Sequence, residues 1–101
     1  MSIHLSCYTK FTLTELQKKL NEFSEKYPHV FPLHYYLSTA GVPHPIQKEI
    51  SNEFGLNPCS YFVVSVNNKA LKISTAEMAD MIRKNLGDDN VIVLLNGEDL
   101  L

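Results

Sequence analysis

The chain writes the same helix start twice, and that repetition limits its fold more than anything else in it. Thr12, with Glu15 three residues on, makes a capping box, and Phe11 and Leu16 stand where a hydrophobic staple would hold it. Ser74 and Glu77 repeat the box, with Ile73 and Met78 as the staple. After the first start, Leu13, Leu16, Leu20, Phe23 and Tyr27 recur at spacings of three and four. Lys18, Lys19, Glu22, Glu25 and Lys26 take the other side, and Pro28 and Pro32 stop the helix. After the second, Met78, Met81, Ile82 and Leu86 form the apolar stripe. Glu77 and Asp80 sit near the positive end of the dipole and Arg83 and Lys84 near the negative end, before Gly87. Two helices that are apolar along one stripe each need a shared surface to cover.

The segments around them supply it. Ile3, Leu5 and Cys7 alternate with His4, Ser6 and Tyr8, the period of a strand with one apolar face. Leu33, Tyr35 and Leu37 alternate with His34, Tyr36 and Ser38, which predicts a second strand ending in the Gly41–Pro45 loop. Pro45 suits the first position of a short helix whose stripe is Ile46, Ile50 and Phe54, with Gly55 at its end. Tyr61 to Val66 and Val91 to Leu95 are apolar on both faces and read as interior strands. Asn67-Asn68-Lys69 and Asn96-Gly97 are turn signals, and Leu71 and Ile73 either begin a hairpin partner or lead into the second capped helix. The order is β-α-β-α-β-α-β. The expected fold is α+β: a two-layer sandwich of a mainly antiparallel sheet of four or five strands with two longer helices and one short one. Right-handed crossovers make a ferredoxin-like arrangement reasonable.

One domain is expected over residues 1–101, a length that buries roughly two-thirds of the unfolded surface. The net charge of −2 and the single arginine, Arg83, argue against direct nucleic-acid binding. The tail after Gly87 is acidic through Asp88, Asp89, Glu98 and Asp99. The opening residues lack the pattern of a secretory signal and the apolar runs are far short of a membrane span, so a cytoplasmic protein is expected. Cys7 and Cys59 then read as two buried, reduced thiols.

Motifs for chemistry are missing. No Walker loop, GxGxxG, HExxH, GxSxG or EF-hand pattern occurs. His4 and His34 lie on strands and approach each other if those strands pair, but nothing nearby completes a metal site. Cys7 as a nucleophile is disfavoured on a core face. Glu49 and Glu53, four apart on the short helix, fit a solvated face better than a catalytic pair, and suit contact with a basic partner. The expectation is no catalysis, no metal, no cofactor and no small-molecule ligand. Tyr35 and Tyr36 carry more information: neighbours on a strand point to opposite faces, so only one can be fully buried, and the other presents an aromatic surface beside a sheet edge.

Three blocks carry a resemblance across the chain. They are Met1-Ser2-Ile3-His4-Leu5-Ser6-Cys7-Tyr8, then Lys48-Glu49-Ile50-Ser51-Asn52-Glu53-Phe54-Gly55-Leu56, then Ser60-Tyr61-Phe62-Val63-Val64-Ser65-Val66-Asn67-Asn68-Lys69. In this order and spacing the chain resembles the immunity proteins of bacterial contact-dependent growth inhibition systems, in the group that neutralises nuclease toxins. Lys10 to Ala40 and the tail after Lys69 depart most from the pattern, which is where partner choice is expected to vary. The resemblance implies a protein partner, the C-terminal toxin domain of a large secreted inhibitor protein, in the nearest relatives a metal-dependent DNase. It also implies β-augmentation, in which a toxin hairpin extends the immunity protein's sheet. The expected contact residues are Tyr35, Tyr36, Ser38, Thr39 and His44, with Glu49 and Glu53 as charge partners. The competing readings are a ferredoxin-like regulatory domain that binds a small molecule and, further off, an enzyme using His4 or His34.

Overall fold

The computed structural model describes residues 3–31, 34–66, 73–97 and 99–101. Its elements are β1 (His4–Thr9), α1 (Leu13–Lys26), β2 (Tyr35–Leu37), α2 (Pro45–Glu53), β3 (Ser60–Val66), α3 (Thr75–Leu86), β4 (Val91–Leu95) and β5 (Asp99–Leu100). They form an α+β fold on one five-stranded sheet in the order β2-β3-β1-β4-β5, with every neighbouring pair antiparallel. β1 and β2 both oppose β3, so they run parallel to each other with β3 between them. This is the split β-α-β arrangement of ferredoxin-like folds. The expected last strand, β4, is followed by a short fifth one. Asn96 (φ 52°) and Gly97 (φ 76°) turn the chain between them in the left-handed region.

The two capped helices start where the residues dictate. Thr12 Oγ1 accepts from the Glu15 N–H at 3.2 Å, and Glu15 Oε1 accepts from the Thr12 N–H at 3.2 Å. The Thr12 hydrogen bonds also hold the Glu15 carboxyl below its ordinary range. At α3, Ser74 Oγ accepts from the Glu77 N–H at 3.1 Å. Leu16, Leu20 and Phe23 of α1 and Met78, Ala79, Ile82 and Leu86 of α3 then bury their stripes against one face of the sheet. That face is Leu5 and Cys7 of β1, Phe62 and Val64 of β3, and Val91 and Val93 of β4. Cross-strand register explains the sharing of this face: Cys7 lies opposite Phe62 and Val93, and Leu5 opposite Val64 and Leu95.

The other face is only partly covered. Tyr8, Ile92 and Leu94 form a smaller apolar cluster closed by Leu56, with Ile50 of α2 and Tyr61 packed against it. α2 therefore sits opposite α1 and α3, at one end of the sheet. Its expected stripe of Ile46, Ile50 and Phe54 is not the buried one. Ile46 is 71% exposed and Phe54 37%, whereas Ser51 is fully buried with its hydroxyl donating to the Leu56 carbonyl at 2.7 Å. Gly55 (φ 87°) folds the chain back after α2 so that Leu56 takes the packing role expected of the helix.

Two further expectations change. Cys7 is buried but Cys59 is exposed, because Cys59 meets the sheet by its backbone, N–H to Thr9 O at 2.8 Å. His4 and His34 do not pair across strands, since β3 separates β1 from β2 and His34 precedes β2. Among the described residues no group of three or more His, Cys, Asp or Glu is placed to hold a metal ion, and no helix is long and apolar enough to cross a membrane. The Asn67–Lys69 turn and Leu71 lie outside the described residues.

Burial pushes the Cys7 thiol well above the ordinary thiol range, with Arg83 only partly opposing it. One thiol per chain, Cys59, should react with a disulfide reagent in the native protein at pH 8, and a second only after denaturation. Two fast equivalents from the folded chain would contradict this placement of Cys7.

Candidate functional site

An antiparallel strand turns alternate residues toward its neighbour and leaves the rest facing out. On β2 the inward residues follow from the bonds around it. Tyr36 lies opposite Ser65, and Ser38 N–H donates to Val63 O at 2.9 Å. Leu37 sits between them, so its N–H and C=O point away from β3. The same alternation turns the Tyr35 N–H outward, where Val30 O accepts it at 3.1 Å.

The ladder then acquires one extra residue. The next bonds to β3 are a reciprocal pair, Gly41 N–H to Tyr61 O and Tyr61 N–H to Gly41 O, both 2.9 Å. From Ser38 to Gly41 the chain takes three steps while β3 takes two from Val63 to Tyr61. Thr39 and Ala40 therefore share a β-bulge. Ser38 makes this possible. Its Oγ accepts from the Val63 N–H at 2.8 Å in place of its carbonyl, and donates to Thr39 O at 3.0 Å. Gly41 makes it possible sterically: a Cβ there would stand 2.8 Å from Tyr61 Cε1. The Ala40 N–H turns to α1, where Gln17 Oε1 accepts it at 2.9 Å.

The outer margin of β2 is thus closed at its two ends and open between them. Val30 takes the amide of Tyr35 and Gln17 takes that of Ala40. Among the described residues, Leu37 N–H and Leu37 C=O meet no protein partner there, and the Thr39 N–H within the bulge has none either. Beside this opening lies a groove of about 520 Å³ between α1 and Ala40, lined by Leu13, Thr14, Gln17, Lys18 and Asn21. Leu13, expected in the stripe of α1, is 43% exposed.

The expected contact residues divide between this edge and α2. Tyr36 is 57% exposed, on the sheet face that also carries α2. Ser38 is half-buried at the bulge and Thr39 is exposed beside it. Tyr35 is not a surface group. Its ring is buried and its hydroxyl donates to Ile73 O at 2.8 Å, pinning β2 to the start of α3; burial, with Glu77 nearby, raises its pKa. His44 caps α2, its backbone N–H donating to Gln47 Oε1 at 2.8 Å. Glu49 and Glu53 lie exposed on α2, on the side that also shows Ile46. Sequence reasoning missed Gln17, Leu13 and Ala40 at the groove, and Val42, which is 63% exposed in the loop leading to α2. The position of Gln17 on the polar side of α1 gave no signal, because its bond to Ala40 exists only once the bulge has formed.

Ser38→Ala leaves the Val63 N–H without an acceptor. It should lower stability by about 1–3 kcal/mol in urea unfolding, the cost of an orphaned backbone donor. Replacement by Thr, which keeps the oxygen, should recover most of that. An unchanged midpoint for the Ala variant would remove Ser38 from its place in the bulge.

Comparison with known proteins agrees with this architecture. The chain is 22% identical to a chain of the solved CdiA-CT/CdiI toxin and immunity complex from Burkholderia pseudomallei, with a TM-score of 0.89, covering 97% of this chain and 95% of that one. At that identity the likeness shows a shared fold. No curated protein matches. The family model for the CDI System Immunity Component matches residues 1–99, and by that match the chain belongs to the family of immunity components of contact-dependent growth inhibition systems.

Proposed function

We propose that this immunity protein neutralises the C-terminal nuclease domain of its cognate toxin, a metal-dependent DNase, by accepting a toxin β-hairpin on the outer edge of β2. It does no chemistry of its own and acts in the cytoplasm. The observation that carries the reading is the opening at Leu37, a stretch of strand unpaired among the described residues, between two self-satisfied amides with a groove alongside. The solved structure with the same fold is itself a toxin and immunity complex, which supports a toxin domain as the partner. The nuclease class is what the resemblance carried by the three sequence blocks implies.

The size of the opening limits what main-chain pairing contributes. Leu37 N–H and Leu37 C=O together offer about 1–3 kcal/mol at the usual net value per hydrogen bond. A protective inhibitor needs nanomolar affinity, on the order of −12 kcal/mol. Side chains must supply the remainder. Tyr36, the exposed aromatic on the strand, is the anchor on the sheet face, and Thr39 and the partly buried Ser38 flank the opening. His44, Glu49 and Glu53 extend the contact along α2 and suit a basic nuclease surface, acting mainly on the association rate. Tyr35 contributes from beneath, by holding β2 in place.

Co-expression with the cognate toxin domain should protect the host cell, and the two should co-purify; failure to protect or to form a complex removes the reading. Tyr36→Ala should raise the dissociation rate about 5- to 30-fold with little change in association. The pair Glu49→Lys and Glu53→Lys should do the reverse, slowing association and flattening its salt dependence. Identical kinetics for all three chains would place the interface elsewhere.

A further inference from the structure

We infer that Gln17 is a register stop for the strand that the β2 edge accepts, a specificity-determining residue that acts from α1; this rests on the edge reading above. An added strand advances along β2 by bonding to its outward groups in turn. The first outward pair is Leu37 N–H and C=O. The bulge then resets the alternation, because inward bonding resumes at Gly41. Ala40 becomes the next outward amide, and Gln17 Oε1 already holds it at 2.9 Å.

Gln17 is held in that position at its other end as well. Its Nε2 donates to Asn21 Oδ1 at 3.0 Å, one turn further along α1. The side chain is therefore tied on both sides, and its amide occupies the place that a partner carbonyl would take opposite Ala40. A strand that pairs with Leu37 and ends there fits the free stretch. A longer strand in the same register displaces Gln17 and leaves two polar groups unpaired, or leaves its own carbonyl without a donor. The accepted partner is thus a short hairpin arm. It turns away at Ala40, with its turn lying in the groove over Leu13 and beside Lys18 and Asn21. Without the stop, the edge would admit longer strands and lose its preference among hairpins.

Amide hydrogen exchange on the free chain and on its complex with the cognate toxin domain tests this. In the free protein, Gln17→Met, which keeps the bulk and loses the acceptor, should speed exchange at Ala40 about 5- to 10-fold. Gln17→Glu, which keeps an acceptor oxygen, should leave it near the wild-type rate. In the wild-type complex, Leu37 should gain protection and Ala40 should not. In the Gln17→Met complex, the gained protection should extend to Ala40. If Leu37 gains none in the wild-type complex, the edge reading falls and the stop with it. If Leu37 is protected but the Gln17→Met footprint ends where the wild-type one does, the stop alone is overturned. An unchanged Ala40 rate in free Gln17→Met overturns it as well.

Discussion

The structure depends on one strand being bonded along both sides. β1 carries ladders to β3 and to β4 at once, and Leu5 through Thr9 are all buried. With β1 fixed at the centre, α1 and α3 have a single apolar face on which to lay their stripes, and β2 is left at the margin with one neighbour among the described strands. A three-residue margin strand contributes little burial of its own. It is held by its register to β3, by the buried ring of Tyr35 and by the hydroxyl bond from that ring to Ile73.

A bare sheet edge invites unwanted pairing, and proteins usually blunt it. Here the blunting is partial. A bulge at Thr39 and Ala40, a serine hydroxyl replacing a carbonyl, and one glutamine reaching over from α1 shorten the free margin without sealing it. On the proposed reading the same devices serve two ends. They keep indiscriminate strands off β2, and they give the opening a defined length and a groove on one side. On this account affinity comes chiefly from side chains around the opening, while the main chain sets geometry.

Much of the fold was legible in the residues. The two capping boxes place α1 and α3, the alternation of Leu5 and Cys7 with Ser6 and Tyr8 gives β1, and the doubly apolar runs give β3 and β4. What escaped depends on contacts between distant segments. The exposure of Ile46 follows from Ser51 being tied to Leu56 rather than from any flaw in helical spacing. Cys59 looked like a core thiol, but its segment reaches the sheet through its amide. At the site, the pairing of one buried and one exposed tyrosine was readable from the strand period. The bulge was not, because it rests on Ser38 using its side chain on Val63, and the role of Gln17 follows from the bulge.

The central claim, that a partner strand bonds to the outward amide of Leu37, can be tested by changing that one group. Semisynthesis of the chain with an ester in place of the amide at Leu37 removes the N–H and keeps the side chain, and β3 never used that N–H. The account predicts a slightly lower unfolding midpoint, because the Tyr36 carbonyl facing Ser65 becomes a weaker ester acceptor, and affinity of the folded chain for the toxin domain weakened about 2- to 10-fold, the value of one net hydrogen bond. Equal affinity for the ester and amide chains would contradict it.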